Sequence, residues 1–84
     1  MNHEISRDPS DYRPRDHVFD RANYRGIDLE LVGKTISEGE VYPSHKSECR
    51  VFKRNYSFTD RPVRVVANVE TGEVITVAWE YTDE

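Results

Sequence analysis

Residues 63–81 read VRVVANVETGEVITVAWEY. β-branched residues flank one turn signal, Glu70-Thr71-Gly72-Glu73, in which Gly72 supplies a positive φ that L-residues resist. The stretch therefore reads as a hairpin of Val63–Val69 and Val74–Tyr81. Alternation in its second arm sends Ile75, Val77 and Trp79 one way and Val74, Thr76 and Ala78 the other. Working upstream, Thr59–Arg61 turn and Pro62 leads into the hairpin. Before them Arg50–Phe58, rich in aromatic and β-branched residues, is a further strand, Ser44–Glu48 a polar loop, and Val41-Tyr42 a short strand ended by Pro43.

Further upstream the period changes from two to 3.6. Pro14 suits a first helical turn and Asp16 complements the positive end of a helix, which predicts a helix from about Pro14 to Arg25. Val18 and Ala22 form its apolar stripe, widened by Phe19 and Tyr24. Gly26 is the expected left-handed stop, with Ile27 folding back. Asp28 caps a second helix over Leu29–Glu38, in which Leu29, Val32 and Ile36 share a face beside Leu31 and which Gly39 ends. Gly33 inside it costs about 1 kcal/mol relative to Ala, a cost that a close approach by the first helix or the sheet would explain. These elements predict an α+β fold: two N-terminal helices packed on a three- to four-stranded antiparallel sheet. Residues 1–12 (MNHEISRDPSDY) are polar and aperiodic and read as a flexible N-terminal arm, with residues 13–84 a single domain.

The chain has 84 residues, 36% apolar and 33% charged, lean for a core but not a disorder signature. Nine aromatic residues help to fill that core. A single cysteine, Cys49, makes no internal disulfide, and no stretch approaches a membrane span or a signal-peptide core, so a cytoplasmic protein is expected. The net charge of −4 argues against nucleic acid, but its distribution is uneven: residues 41–69 hold six bases and two acids, whereas residues 70–84 hold five acids and no base. Nine of the twelve bases are Arg, the cation suited to bidentate phosphate contact. A GC-rich genome or a salt-loving host produces the same skew.

His17, Arg21 and Arg25 recur every four residues, which stacks them on one helix face about 12 Å long. Neighbouring cations repel, so the stripe is either a solvated face, with Arg21 and Arg25 paired to Asp20, Asp28 or Glu30, or a face for an anion.

His17…Arg21…Arg25-Gly26-Ile27, a short second helix, and then Gly39-Glu40-Val41 resemble the opening of domain-of-unknown-function family 4258. Pro62-Val63-Arg64-Val65-Val66, the Gly72 hairpin and Val74-Ile75-Thr76-Val77 resemble its end. Two positions depart from the pattern: Val18 replaces a small Ala, and Arg64 stands where many members carry a histidine. That family is placed with RelE/ParE-like, barnase-type ribonuclease toxins. The resemblance implies a RelE-like fold and a small domain that engages RNA, as a metal-independent toxin-type endoribonuclease or as a relative that only binds. It also implies an antitoxin protein as partner, as a monomer or homodimer.

Metal-independent RNA cleavage needs a base, an acid and cations for the phosphorane. The catalytic candidates are His17 for proton transfer, Arg50 and Arg64 to clamp phosphate from neighbouring strands, and Thr76 to hydrogen-bond a non-bridging oxygen. Arg21, Arg25, Lys53, Arg54 and Arg61 would track the backbone, and Tyr56 or Tyr81 would stack on a base. These groups are expected to meet in one cleft between the first helix and the sheet, with the acidic tail (Glu80, Asp83, Glu84) shielding it. His3 and His45 sit in loops without metal-ligand spacing, so neither a metal nor a cofactor is expected. A non-catalytic interaction or regulatory module is the competing reading.

Overall fold

The computed structural model describes residues 5–80. A 3₁₀ turn at Pro9–Asp11 leads into β1 (Arg13–Pro14), α1 (Asp16–Tyr24) and α2 (Leu29–Glu38), followed by β2 (Glu40–Pro43), β3 (Cys49–Arg54), β4 (Val63–Asn68) and β5 (Glu73–Trp79). The five strands form one sheet in the order β1-β5-β4-β3-β2. Four pair antiparallel, and β1 joins β5 parallel through Arg13–Glu73 and Pro14–Val74.

This corrects the expected three- to four-stranded antiparallel, RelE-like sheet: the sheet is mixed and has five strands. The added strand is only two residues long and contains a proline, so it has no period of its own. It exists because the β4–β5 turn is near: the Arg13 amide donates to the Gly72 carbonyl at 2.8 Å. Pro14, expected to start the helix, lies in this strand instead, and α1 begins at Asp16.

Residues 5–12, expected as a loose arm, are held against α2. Arg7 Nε donates to the Ile36 carbonyl at 2.7 Å, and its Nη2 donates to the Gly39 carbonyl, so one guanidinium satisfies two carbonyls at the end of α2. Tyr12 is buried, with its hydroxyl donating to the Ser6 carbonyl at 2.8 Å and its ring edge-on to Phe52. Pro9 fills the space beside Gly33, 3.4 Å from where a Cβ would stand.

Several local signals act as expected. The Asp28 carboxylate accepts from the Leu31 amide at 3.0 Å and caps α2. Gly26 stops α1 at φ 79°, and the Ile27 amide folds back onto the Ala22 carbonyl at 2.8 Å. The core lies between the sheet and the helices: Phe52, Val63, Val65, Ala67, Val74 and Val77 face Val18, Ala22, Ile27, Val32 and Ile36. Thr35 is buried there and bonds both the Leu31 carbonyl and the Tyr56 hydroxyl.

Strict alternation fails in β5. Val66 pairs with Thr76 but Ala67 pairs with Val74, which leaves Ile75 as a bulge. The extra residue shifts the parity, so Val74 joins Val77 on the core side while Ile75 is exposed.

Candidate functional site

β1 covers only the first two residues of the outer edge of β5. Beyond it the chain turns into α1, which runs along the remaining edge in the strand's own direction. Two bonds fix its far end: Arg25 Nη1 donates to the Val77 carbonyl at 2.8 Å, and Trp79 Nε1 donates to the Arg25 carbonyl at 2.9 Å. Helix and strand edge diverge enough to leave an open groove of about 310 Å³, lined by His17, Val18, Arg21 and Arg25 from α1 and by Ile75, Thr76 and Val77 from β5. Ile75, the bulged residue, is among the strand residues that line it.

The groove gathers His17, Thr76, Arg21 and Arg25. Arg25 is committed in part to Val77, whereas the His17 and Arg21 side chains are exposed and make no hydrogen bond or ion pair among the described residues. The acids expected to pair with the stripe are otherwise engaged in one case: Asp28 caps α2. The side chains of His17 and Arg21 therefore stand without an ion-pair partner among the described residues, in a groove that Thr76 also lines.

The remaining candidates lie elsewhere. Arg50 pairs with Ala67, and Arg64 pairs with Lys53, so the two arginines belong to opposite faces of the sheet. Arg50 sits on the helix side, and its Nη1 donates to the Ser47 and Cys49 carbonyls at 2.7 Å. Arg64 and Lys53 sit on the face that no helix covers, and both pair with Glu80. Arg54 pairs with Glu38 at 3.2 Å and stacks 5.1 Å from the Tyr56 ring. Arg61 is half-buried in the turn before β4. Tyr56 is buried against Thr35, which leaves its ring unavailable for stacking on a base. Tyr81 and the acids beyond Glu80 lie outside the described residues.

One residue beside the groove departs from the apolar stripe that the helical spacing predicts. Tyr24 is 94% exposed, next to Arg21 and Arg25 in a shallow hollow that also includes Asp20. Its i+2 offset from Ala22 was the available signal, since residues two apart on a helix do not share a face. Phe19 is likewise exposed.

Among the described residues no group of His, Cys, Asp or Glu is arranged to hold a metal ion, and no helix is long and apolar enough to cross a membrane. Comparison with protein-family models, with curated proteins and with solved structures finds no match.

Proposed function

We propose that the protein engages single-stranded RNA at the α1–β5 groove, with His17, Arg21 and Thr76 on the phosphate backbone and Tyr24 stacked on an adjacent base. The observation that carries this reading is that His17 and Arg21, neither with an ion-pair partner among the described residues, line one open groove together with Thr76. Arg supplies a planar fork for phosphate oxygens, and the hydroxyl supplies a further donor. His17 lies in the first turn of α1, where the helix dipole also favours an anion. Tyr24 adds an exposed π-face beside that charge, the combination by which proteins hold unpaired nucleotides.

One feature bears on binding against cleavage. Arg50 and Arg64, the arginines expected to clamp the phosphate, do not share the groove with His17, which leaves Arg21 and Arg25 as its cations. The expected clamp from neighbouring strands is therefore missing there, and binding without cutting is the reading put first. Fluorescence anisotropy with a labelled oligouridylate tests the reading. Tyr24→Ala should weaken RNA binding roughly tenfold while leaving binding of inorganic polyphosphate unchanged, and Arg21→Ala should weaken both. Equal affinities for all three proteins would remove the groove from the account. Incubation of RNA with the wild type and His17→Ala separates the two versions: His17-dependent cleavage products would restore the enzymatic one.

A further inference from the structure

Glu80 follows β5, and its amide donates to the Pro62 carbonyl at 2.9 Å, so its position is fixed by the backbone. Its carboxylate bridges two cations, with Oε2 3.2 Å from Lys53 Nζ and Oε1 3.5 Å from Arg64 Nε. Lys53 and Arg64 oppose each other in register across β3 and β4, on the uncovered face of the sheet. Like charges in that arrangement repel, and one carboxylate with two oxygens separates them. Glu40, opposite Lys53 on β2, accepts the Tyr42 hydroxyl and makes no ion pair with Lys53. The Lys53 ammonium also lies 4.8 Å from the Tyr42 ring centre. Lys53 and Arg64, with Tyr42, His45 and Val51, line a hollow of about 380 Å³ that is open to solvent.

A carboxylate held by an ammonium and a guanidinium occupies the position that a phosphate oxygen pair takes with the same cations. We propose that Lys53 and Arg64 form a second phosphate site on the open face of the sheet, and that Glu80 fills it as an internal competitor that an RNA phosphate displaces. The proposal rests on the RNA reading above, and the two sites are connected. Thr76, which lines the α1–β5 groove, pairs with Val66 and so shares the open face with Arg64. From β5 to β3 is about 10 Å, a short crossing for an oligonucleotide. Glu80 thereby sets how far along the sheet the RNA is held.

The test is a titration of the ¹⁵N-labelled full chain with a ten-nucleotide oligouridylate, for wild type, Glu80→Gln and Lys53→Ala/Glu80→Gln. Glu80→Gln keeps the backbone bond to Pro62 and nearly the same side-chain volume. It should bind RNA about three- to fivefold tighter, the range that loss of one exposed ion-pair partner allows. Its salt dependence should steepen by about 0.7 in log–log slope, the release expected for one more neutralised phosphate on a single strand. The amides of Lys53, Arg64 and His45 should shift, and Lys53→Ala should cancel the gain. Shifts confined to α1 and β5, with unchanged affinity in Glu80→Gln, overturn this proposal and leave the groove reading intact. Shifts confined to β3 and β4 overturn the groove reading and leave this one standing. Absence of shifts in both regions overturns both.

Discussion

Arg25 and Val77 are joined by a hydrogen bond from the guanidinium Nη1 to the strand carbonyl at 2.8 Å, and this bond ties the end of α1 to β5. Trp79 returns a bond from the strand to the Arg25 carbonyl at 2.9 Å, so the end of the helix is tied in both directions. An open strand edge is a pairing hazard, and here β1 and α1 together cover it. The groove is what remains where the helix departs from the bulged strand.

Breaking either tie should loosen this end of the helix. Arg25→Ala and Trp79→Phe should each cost about 1 kcal/mol in urea unfolding, the usual worth of a hydrogen bond. Because both restrain the same junction, the double mutant should lose less than the sum. Strict additivity would show that the two bonds act on separate elements.

Gly72 and Gly26 both have positive φ, 80° and 79°, but differ in their surroundings. A Cβ on Gly72 would stand 2.3 Å from the Asp11 carbonyl oxygen, whereas one on Gly26 would meet nothing within 4 Å. Gly26→Ala should therefore cost about 1 kcal/mol from backbone strain alone. Gly72→Ala should cost at least about 2 kcal/mol, because it also pushes away the segment that leads into β1. Thermal unfolding of the two variants checks the ranking, and equal losses would mean that residues 11–13 yield without penalty.

Much of the fold was legible in the residues themselves. Asp28, Gly26 and Gly72 are local signals whose physics needs no distant partner, so α2, the end of α1 and the hairpin turn fall where expected. Arg13–Pro14 was not legible, because a two-residue strand is created by the neighbouring turn and has no pattern of its own. The faces of β5 were misassigned for a similar reason: a bulge is fixed by pairing with β4, and strict alternation assumes there is none. At the site, helical spacing gathered His17, Arg21 and Arg25 correctly onto the groove side of α1. Arg50 and Arg64 could not be placed, because their relation depends on the β3–β4 register. Register puts residues 50 and 53 on opposite faces, and Arg64 follows residue 53.

Acid should weaken the attachment of β1. Arg15 pairs with Glu73, and this partner holds the Glu73 carboxyl below the ordinary value of 4.5. A depressed carboxylate contributes stability above its unfolded pKa, and the contribution is lost as pH falls below about 4.5 through the folded value. Glu73→Gln has no such carboxylate, so its melting temperature should fall less than that of the wild type between pH 5 and pH 3. Parallel curves would mean that the pair contributes nothing.

The buried pair Thr35–Tyr56 should behave as a hydrogen bond with a spare partner. The two hydroxyls are 2.9 Å apart, and Thr35 also donates to the Leu31 carbonyl at 2.8 Å. Tyr56→Phe leaves Thr35 satisfied and keeps the packed ring, so it should cost only about 1 kcal/mol. Thr35→Ala removes volume and both bonds at a site with no exposure and should cost more. Chemical denaturation of the two variants orders them.

The most direct test of the central claim is the affinity of the wild type and Arg21→Ala for a single-stranded oligouridylate across a salt series. The account predicts measurable binding at low salt that falls linearly in log–log form, with Arg21→Ala weaker and its slope shallower by about 0.7, the share of one phosphate contact. Superimposable lines for the two proteins, or no binding by the wild type at the lowest salt, would contradict it.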